Sequence, residues 1–120
     1  MYTRVVQATI KPKRVLEFKD AVANHDLPII RSQPGFVDNI EMYANNQFIS
    51  LTFWKTEEDA ERFASEAFPR IAARDWPLVL RPLRAEAYTV EYDTIHGLRW
   101  GTVEVMEKRP ARKFATPAAA

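Results

Sequence analysis

The sequence contains no cysteine, which excludes disulfide bonds, thiolate nucleophiles and metal sites with sulfur ligands. Its three glycines are too few for the loops that hold phosphate groups, and no GxGxxG or Walker motif is present. No apolar run approaches the roughly 20 residues that a membrane-spanning helix needs. Seventeen basic and sixteen acidic residues leave a net charge of +1, so no overall field attracts nucleic acid.

The 120 residues, 47% apolar and 28% charged, have the composition of one ordinary soluble domain. Arg4 and Gln7 interrupt the N-terminal apolar residues and Lys11 ends them, so we expect no signal peptide. The expected location is therefore cytoplasmic, with neither a membrane nor a nucleic acid as partner.

The N-terminal third predicts a strand followed by a helix. Residues 2–11 mix β-branched and polar side chains, as strands do. Pro12 suits the first turn of a helix, and Pro28 is expected to kink or end that helix near His25. Intervals of three and four residues define its apolar stripe: Val15, Phe18, Val22, His25 and Ile29.

The next segment predicts an antiparallel hairpin. Residues 35–43 and 47–54 have strand patterns, and Asn45-Asn46 between them favours a tight turn. The strand 47–54 carries large apolar side chains on both faces, so both faces are expected to be covered. Helices cover only one face in a domain this small, so a second subunit is expected on the other.

The C-terminal half predicts a second helical region and a fourth strand. Thr56 is a suitable N-cap with Asp59 at the capping-box position, and Pro69 and Pro77 divide the helical region. Residues 84–94 follow as a strand. We therefore expect one domain over residues 1–95 and an extension over 96–120, with a short strand at 101–107 and a Pro/Ala-rich tail.

His25 is the first candidate for chemistry, because a histidine beside Pro28 can act as a base near neutral pH. The alternative is that it caps the carbonyl of Asn24, which Pro28 leaves without its usual donor. His96 is expected in an exposed turn. Two histidines without a nearby acidic cluster make a poor metal site, so no metal is expected.

A second candidate is an aromatic enclosure that binds a planar ligand, the alternative being a filled core. Aromatic and polar side chains on converging elements would form it: Gln7, Tyr43, Trp54, Phe63, Phe68, Arg74, Trp76 and Tyr88.

A third candidate is an arginine group that holds a carboxylate or phenolate, the alternative being a solvated face. It consists of Arg70, Arg74, Arg81 and Arg84. No Ser-His-Asp order, nucleophile elbow or HExxH motif favours a hydrolase.

Three segments carry a resemblance to a known family: Pro34-Gly35-Phe36, residues 49–56 and the helix start at 57–63. Together they resemble the antibiotic biosynthesis monooxygenase (ABM) domain over about residues 3–93. The resemblance implies an α+β, ferredoxin-like β-α-β-β-α-β monomer with an antiparallel sheet. Two such monomers pair through their sheets into a dimeric α/β barrel, with a cleft in each subunit between helices and sheet.

The resemblance also separates two branches of that family. Its haem-degrading branch uses an Asn, a Trp and an axial His, and Gln7, Phe63 and Ala72 align with those positions. Without the axial histidine, haem degradation is not expected. Its cofactor-free oxygenases need only an apolar pocket, a base and hydrogen-bond donors, because a deprotonated phenol or quinol itself reduces oxygen.

The resemblance therefore implies a monooxygenase of a small aromatic or quinol-like compound that uses no cofactor, with His25 as base and Gln7 or Tyr43 as donors. Two alternatives of the same fold are open. One is a ligand binder without a reaction, and the other is a dimeric regulator whose contacts lie in residues 108–120.

Overall fold

The computed structural model of the protein describes residues 1–81 and 83–91. The strands form one four-stranded antiparallel sheet in the order β2-β3-β1-β4, with the helices packed against it. The elements are β1 (Tyr2–Thr9), α1 (Val15–Ala21), α2 (Leu27–Arg31), β2 (Phe36–Ala44), β3 (Gln47–Trp54), α3 (Glu57–Glu66), α4 (Phe68–Asp75) and β4 (Arg84–Thr89). The predicted ferredoxin-like α+β fold is confirmed.

The register of the sheet decides which side chains face the helices. Val6 of β1 and Glu41 of β2 both pair with Ser50 of β3, so these three side chains lie side by side on one face. Packing on this face includes an edge-to-face contact between Phe18 of α1 and Phe48 of β3, with ring centroids 4.9 Å apart. The helical layer therefore covers the face that carries Glu41.

The first helical region contains an irregular turn. Between α1 and α2, Val22–Asp26 form a π-helical turn in which the Leu27 amide donates to the Val22 carbonyl, five residues back. Pro28 lies two residues after this turn and has no amide N–H to donate. The predicted irregularity is there, but the helix continues to Arg31 rather than ending near His25.

The wider turn also changes which residues face inward. Phe18, Val22, Asp26 and Ile30 are buried, whereas His25 is exposed. The prediction that His25 belongs to the apolar stripe was therefore wrong, because a π turn places one extra residue between successive inward positions. Asp26 occupies the inward position instead.

The second helical region follows the prediction. Thr56 caps α3, since its Oγ1 accepts a hydrogen bond from the Asp59 amide at 3.1 Å. Pro69 lies in the first turn of α4, and Pro77 lies in a 3₁₀ turn after it. Both prolines therefore interrupt the helical region as expected, and β4 begins at Arg84 as predicted.

The core has two parts. One lies around Phe18 and Phe48, and the other lies around Trp54, which is fully buried and stacks on Phe63 with ring centroids 4.9 Å apart. Thr52 Oγ1 accepts a hydrogen bond from the Trp54 indole N–H at 2.9 Å. This bond satisfies the one polar group of a side chain that has no access to water.

The sheet face away from the helices is apolar as well. Val5, Ile40, Ile49 and Leu51 are half-buried on this face, and Met42 is 44% exposed. Their common orientation follows from the antiparallel pairing of Val5 with Leu51 and of Ile40 with Leu51.

Residues Met1–Tyr88 form one compact unit. The predicted end of the fourth strand at residue 94, His96, the strand 101–107 and the tail lie outside the described residues. Within residues 1–81 and 83–91, none of the helices has the length and apolar character that crossing a bilayer requires.

Candidate functional site

A cavity lies between the helices and the sheet. Its volume is about 40 Å³, which is space for two or three water molecules. Most of its wall is apolar. The lining side chains are Val6, Phe18, Val22, Asp26, Leu27, Ile30, Glu41, Phe48, Ser50, Thr52, Phe63, Phe68, Ile71, Asp75 and Leu83.

Three carboxyl groups from three different elements reach this cavity, and we call them the carboxyl cluster: Asp26, Glu41 and Asp75. Asp26 comes from the π-helical turn, Glu41 from the middle of β2, and Asp75 from the last residue of α4. Within residues 1–81 and 83–91, no three acidic or histidine side chains have the spacing of a metal site. The three carboxyl groups lie in a wall that is otherwise mostly apolar.

Asp26 and Asp75 form the most buried pair of the cluster, since each is only 3% exposed. The two carboxyl groups lie close enough for a hydrogen bond once one of them is protonated, and Oδ1 of each has no other hydrogen-bond donor. Burial, followed by the hydrogen bond and charge of Asp26, raises the pKa of Asp75 to about 8. Burial also raises the pKa of Asp26, and the hydrogen bond from Asp75 partly offsets that increase.

Glu41 is the third member, and its environment differs from that of the aspartates. Its Oε2 accepts hydrogen bonds from Asn39 Nδ2 at 3.0 Å and from the Ser50 hydroxyl at 3.1 Å. Burial raises the pKa of Glu41 to about 7 despite these two donors, and the charge of Asp26 contributes to the increase. Glu41 therefore also changes its protonation state near neutral pH.

Tyr43 lies close enough to the carboxyl cluster for the charge of the cluster to affect its pKa. Burial, followed by the charges of Glu41, Asp75 and Asp26, raises the pKa of Tyr43 to about 12. Its phenol is therefore a neutral donor at physiological pH. The ammonium group of Lys19 lies 4.7 Å from the centre of its ring.

The aromatic end of the cavity wall has a buried cation behind it. Phe63 and Phe68 line the cavity, and the Arg4 guanidinium lies 5.6 Å and 5.0 Å from their ring centres. Arg4 is 8% exposed, its Nε has no hydrogen-bond partner, and burial lowers its pKa. These rings therefore separate a buried positive charge from the cavity space.

The structure brings four of the predicted site residues to the cavity or its surroundings. Phe63 and Phe68 line it, Tyr43 lies beside the carboxyl cluster, and exposed Arg74 lowers the pKa values of Asp26 and Asp75 by its charge. Trp54 lies in the core behind Phe63 and does not line the cavity.

The other predicted site residues lie elsewhere. His25, Trp76 and Tyr88 are exposed, the last two at 57% and 45%. The Tyr88 hydroxyl donates a hydrogen bond to Glu86 at 2.9 Å. Gln7 pairs with Ile49 and lies on the sheet face away from the cavity.

Gln7 lines a second, more polar pocket on that side of the molecule. Its volume is about 330 Å³, and its other lining residues are Ala8, Thr9, Gln47, Arg81 and Arg84. Two members of the predicted arginine group therefore lie here, whereas Arg74 acts on the carboxyl cluster.

Sequence reasoning missed the carboxyl cluster, although the spacing of two of its members along the sequence gave a signal. Asp26 lies four residues from both Val22 and Ile30, and Asp75 lies four residues after Ile71, so each continues an apolar stripe. An acid on such a stripe is a sign of a buried functional group. Nothing in the sequence indicated that the two would meet.

Comparison with known proteins identifies the fold. The sequence matches no protein-family model and no curated protein. SnoaB, a cofactor-independent oxygenase from Streptomyces nogalater solved as a variant, superposes with a TM-score of 0.66 at 20% identity, over 78% of this chain and 95% of SnoaB.

Two further solved structures are similar to this chain. A monooxygenase from Streptomyces coelicolor in complex with nanaomycin D matches with a TM-score of 0.60 at 19% identity, over 77% of this chain and 88% of that one. An antibiotic biosynthesis monooxygenase matches with a TM-score of 0.62 at 14% identity, over 75% and 98% of the two chains. The predicted likeness to ABM structures is therefore confirmed at the level of the fold.

Proposed function

We propose that the protein is a cofactor-independent monooxygenase of a small phenol or quinol-like compound, which binds in the cavity between the helices and the sheet. The observation that carries this proposal is the set of proton-binding carboxyl groups in an apolar, partly aromatic wall. Such a wall binds a planar apolar molecule, and the carboxyl groups supply a base near neutral pH.

The chemistry needs only the substrate, oxygen and a proton acceptor. A phenol that loses its hydroxyl proton becomes electron-rich enough to reduce oxygen, and a C–O bond forms at the ring carbon opposite the hydroxyl. Loss of the proton on that carbon, with cleavage of the O–O bond, then gives the quinone. One oxygen atom enters the product, and the other leaves as water with the two protons.

The fold comparison supports this reaction class. SnoaB is a cofactor-independent oxygenase, and the Streptomyces coelicolor monooxygenase binds nanaomycin D. Because one fold hosts many functions, the comparison adds to the argument from the cavity and does not replace it.

The cavity must widen to admit a ring, since about 40 Å³ holds only a few water molecules. Leu27, Phe68 and Leu83 are the half-buried apolar side chains of its wall, so each already contacts solvent and can rotate outward. The fully enclosed members, such as Phe18, are held by the core.

The protein is also proposed to be a homodimer formed through the outer sheet face. Val5, Ile40, Ile49 and Leu51 make that face apolar, and no helix among the described residues covers it. A second copy of the same face would bury these side chains, which is the arrangement that the sequence predicted.

The test is a thermal-shift screen against phenols and quinols, followed by oxygen-electrode assays of the compounds that bind. A ligand at one hundred times its dissociation constant stabilises the folded state by about 2.7 kcal/mol, a readily measured shift. We expect oxygen uptake without added metal or flavin, and one labelled oxygen atom in the product when the gas is ¹⁸O₂. Binding without oxygen uptake would contradict the oxygenase and favour a ligand-binding protein.

A further inference from the structure

Asp26 and Asp75 approach each other from two helical segments that are far apart in the sequence, and both line the cavity. Each has one carboxyl oxygen that no other group supplies with a hydrogen bond, although the residue is only 3% exposed. A buried carboxyl oxygen without a partner lowers the stability of the fold. The pair therefore costs folding stability, and a function would account for its presence.

Two negative charges cannot both persist in so buried a pair, so one proton is shared between the two carboxyl groups. Burial raises the pKa of both carboxyl groups, so the pair holds a proton more readily than two separate aspartates would. A pair that shares one proton carries one negative charge. It can take up one further proton and release it again.

We propose that Asp26 and Asp75 act together as the proton acceptor of the cavity, and that its substrate is an uncharged phenol. This rests on the proposed function. The pair accepts the hydroxyl proton of the bound phenol, which becomes the phenolate, and later gives one proton to the oxygen atom that leaves as water. The proton lost from the ring carbon supplies the second hydrogen of that water, so the reaction balances as phenol plus oxygen giving quinone plus water.

The same pair limits the class of substrate. A ligand that already carries a carboxylate would bring a second negative charge against an ionised, buried carboxyl group, which is unfavourable where the effective dielectric constant is low. A neutral hydroxyl group instead donates a hydrogen bond to that group. Uncharged phenols should therefore bind better than their carboxylated analogues of the same size.

Other charged groups around the pair adjust its affinity for protons without replacing it. Glu41 and Tyr43 lie next to it on β2, Arg74 precedes Asp75 on α4, and His25 precedes Asp26 in the π-helical turn. Arg74 and His25 are exposed, so solvent screens their charges. Among these groups, the two aspartates alone are each 3% exposed and carry an oxygen without another hydrogen-bond donor.

The experiment compares wild type with Asp26→Asn, Asp75→Asn and the double variant. The matched control is Asp20→Asn, which changes an exposed aspartate of the same helical region. Turnover of neutral phenols should fall by a factor of about 100 or more in the three test variants and stay unchanged in the control. Thermal unfolding checks that each variant is folded.

Rescue separates proton transfer from a structural role. Phenols whose own pKa lies below the assay pH arrive as phenolates and need no acceptor, and the amide variants no longer repel their charge. The ratio of variant to wild-type turnover should therefore rise to one or above along this series. An equal loss for every phenol would overturn the proposal, and so would full activity of the double variant on neutral phenols.

Binding measured in the absence of oxygen tests the aspartate pair as proton acceptor separately from the oxygenase reaction. For a phenol whose own pKa lies just above the assay pH, the ultraviolet spectrum of the bound ligand should show more of the ionised form in the wild type than in Asp26→Asn/Asp75→Asn. Ionisation without later oxygen uptake would reject the oxygenase and keep the proton acceptor. Oxygen uptake that the variants share would reject the acceptor alone, and failure of any phenol to bind would reject both.

Discussion

Asp75, the last residue of α4, lies within hydrogen-bonding range of Asp26 of the π-helical turn, and the two carboxyl groups lie together in the wall of one cavity. Replacement of one member by its isosteric amide abolishes the charge repulsion that ionisation of both carboxyl groups would bring, and it leaves the shape unchanged. The pair therefore predicts a gain of stability that accompanies a loss of function, as occurs at other strained sites.

Stability should depend on pH through this pair. The pKa of Asp75 is about 8 in the folded protein, against an ordinary value of 3.8, so the folded state binds more protons than the unfolded chain between these values. The free energy of unfolding should therefore fall as pH rises from about 4 to about 8. Asp75→Asn should flatten this profile and be more stable than wild type by about 1–3 kcal/mol at pH 8.

Urea denaturation at three pH values within this range measures that effect. Asp26 and Glu41, whose pKa values are also raised, should leave a smaller slope in the variant. Asp20→Asn should keep the wild-type profile, because Asp20 is exposed. Parallel profiles for wild type and Asp75→Asn would contradict the assignment.

The role of His25 as a base is still a prediction, and a single variant tests it. Its side chain is exposed and does not line the cavity, so His25→Ala should keep most of the turnover of a neutral phenol. The steady-state rate of oxygen uptake measures this. A loss as large as that of Asp26→Asn would return His25 to the mechanism.

Phe68→Ala should open the cavity. The ring is half-buried and forms part of the wall, so its removal should cost about 2 kcal/mol, less than the 3–5 kcal/mol of a fully buried Phe. Phenols with bulky substituents should bind more tightly to the variant in the thermal-shift assay. Leu80→Ala, at a position that is 53% exposed and outside the wall, is the control, and equal effects of the two would argue against a ligand in this cavity.

Gly35→Ala should destabilise the turn before β2 for two separable reasons. Gly35 has φ of 80°, a conformation that costs an L-residue about 1–2 kcal/mol, and an added Cβ would overlap the Asp59 side chain. Asp59→Ala in the same chain removes Oδ2 and Cγ but keeps Cβ, which also lies too close, so it should relieve part of the overlap and none of the backbone strain. Chemical denaturation of the two single variants and the double variant measures the coupling, and strict additivity would show that the overlap has no part in it.

Leu51→Glu should convert the proposed dimer into a monomer, because Leu51 lies at the centre of the outer sheet face between Val5 and Ile40. Light scattering at micromolar concentration measures the mass. Leu16→Glu is the matched control, since Leu16 is 81% exposed on α1 and away from that face. A wild-type protein that is already monomeric would overturn the dimer.

Much of the fold could be predicted from the sequence because local interactions determine it. The Thr56 cap, the interruptions at Pro69 and Pro77 and the start of β4 depend on a few neighbouring residues, and all are as predicted. The two apolar faces of β3 followed from alternation alone. Phe63 and Phe68 were placed at the site because they lie on elements that converge in this fold.

The tertiary structure decided where the ionisable groups lie. A single π-helical turn exchanged His25 for Asp26 on the inner side of the first helical region, and periodicity based on 3.6 residues per turn does not anticipate such a turn. Gln7 has the polarity of a site residue, but the pairing of β1 with β3 directs it to the other face of the sheet. The carboxyl cluster joins a π turn, a strand and a helix end, so its pKa values depend on burial and distances that exist only once these segments pack together.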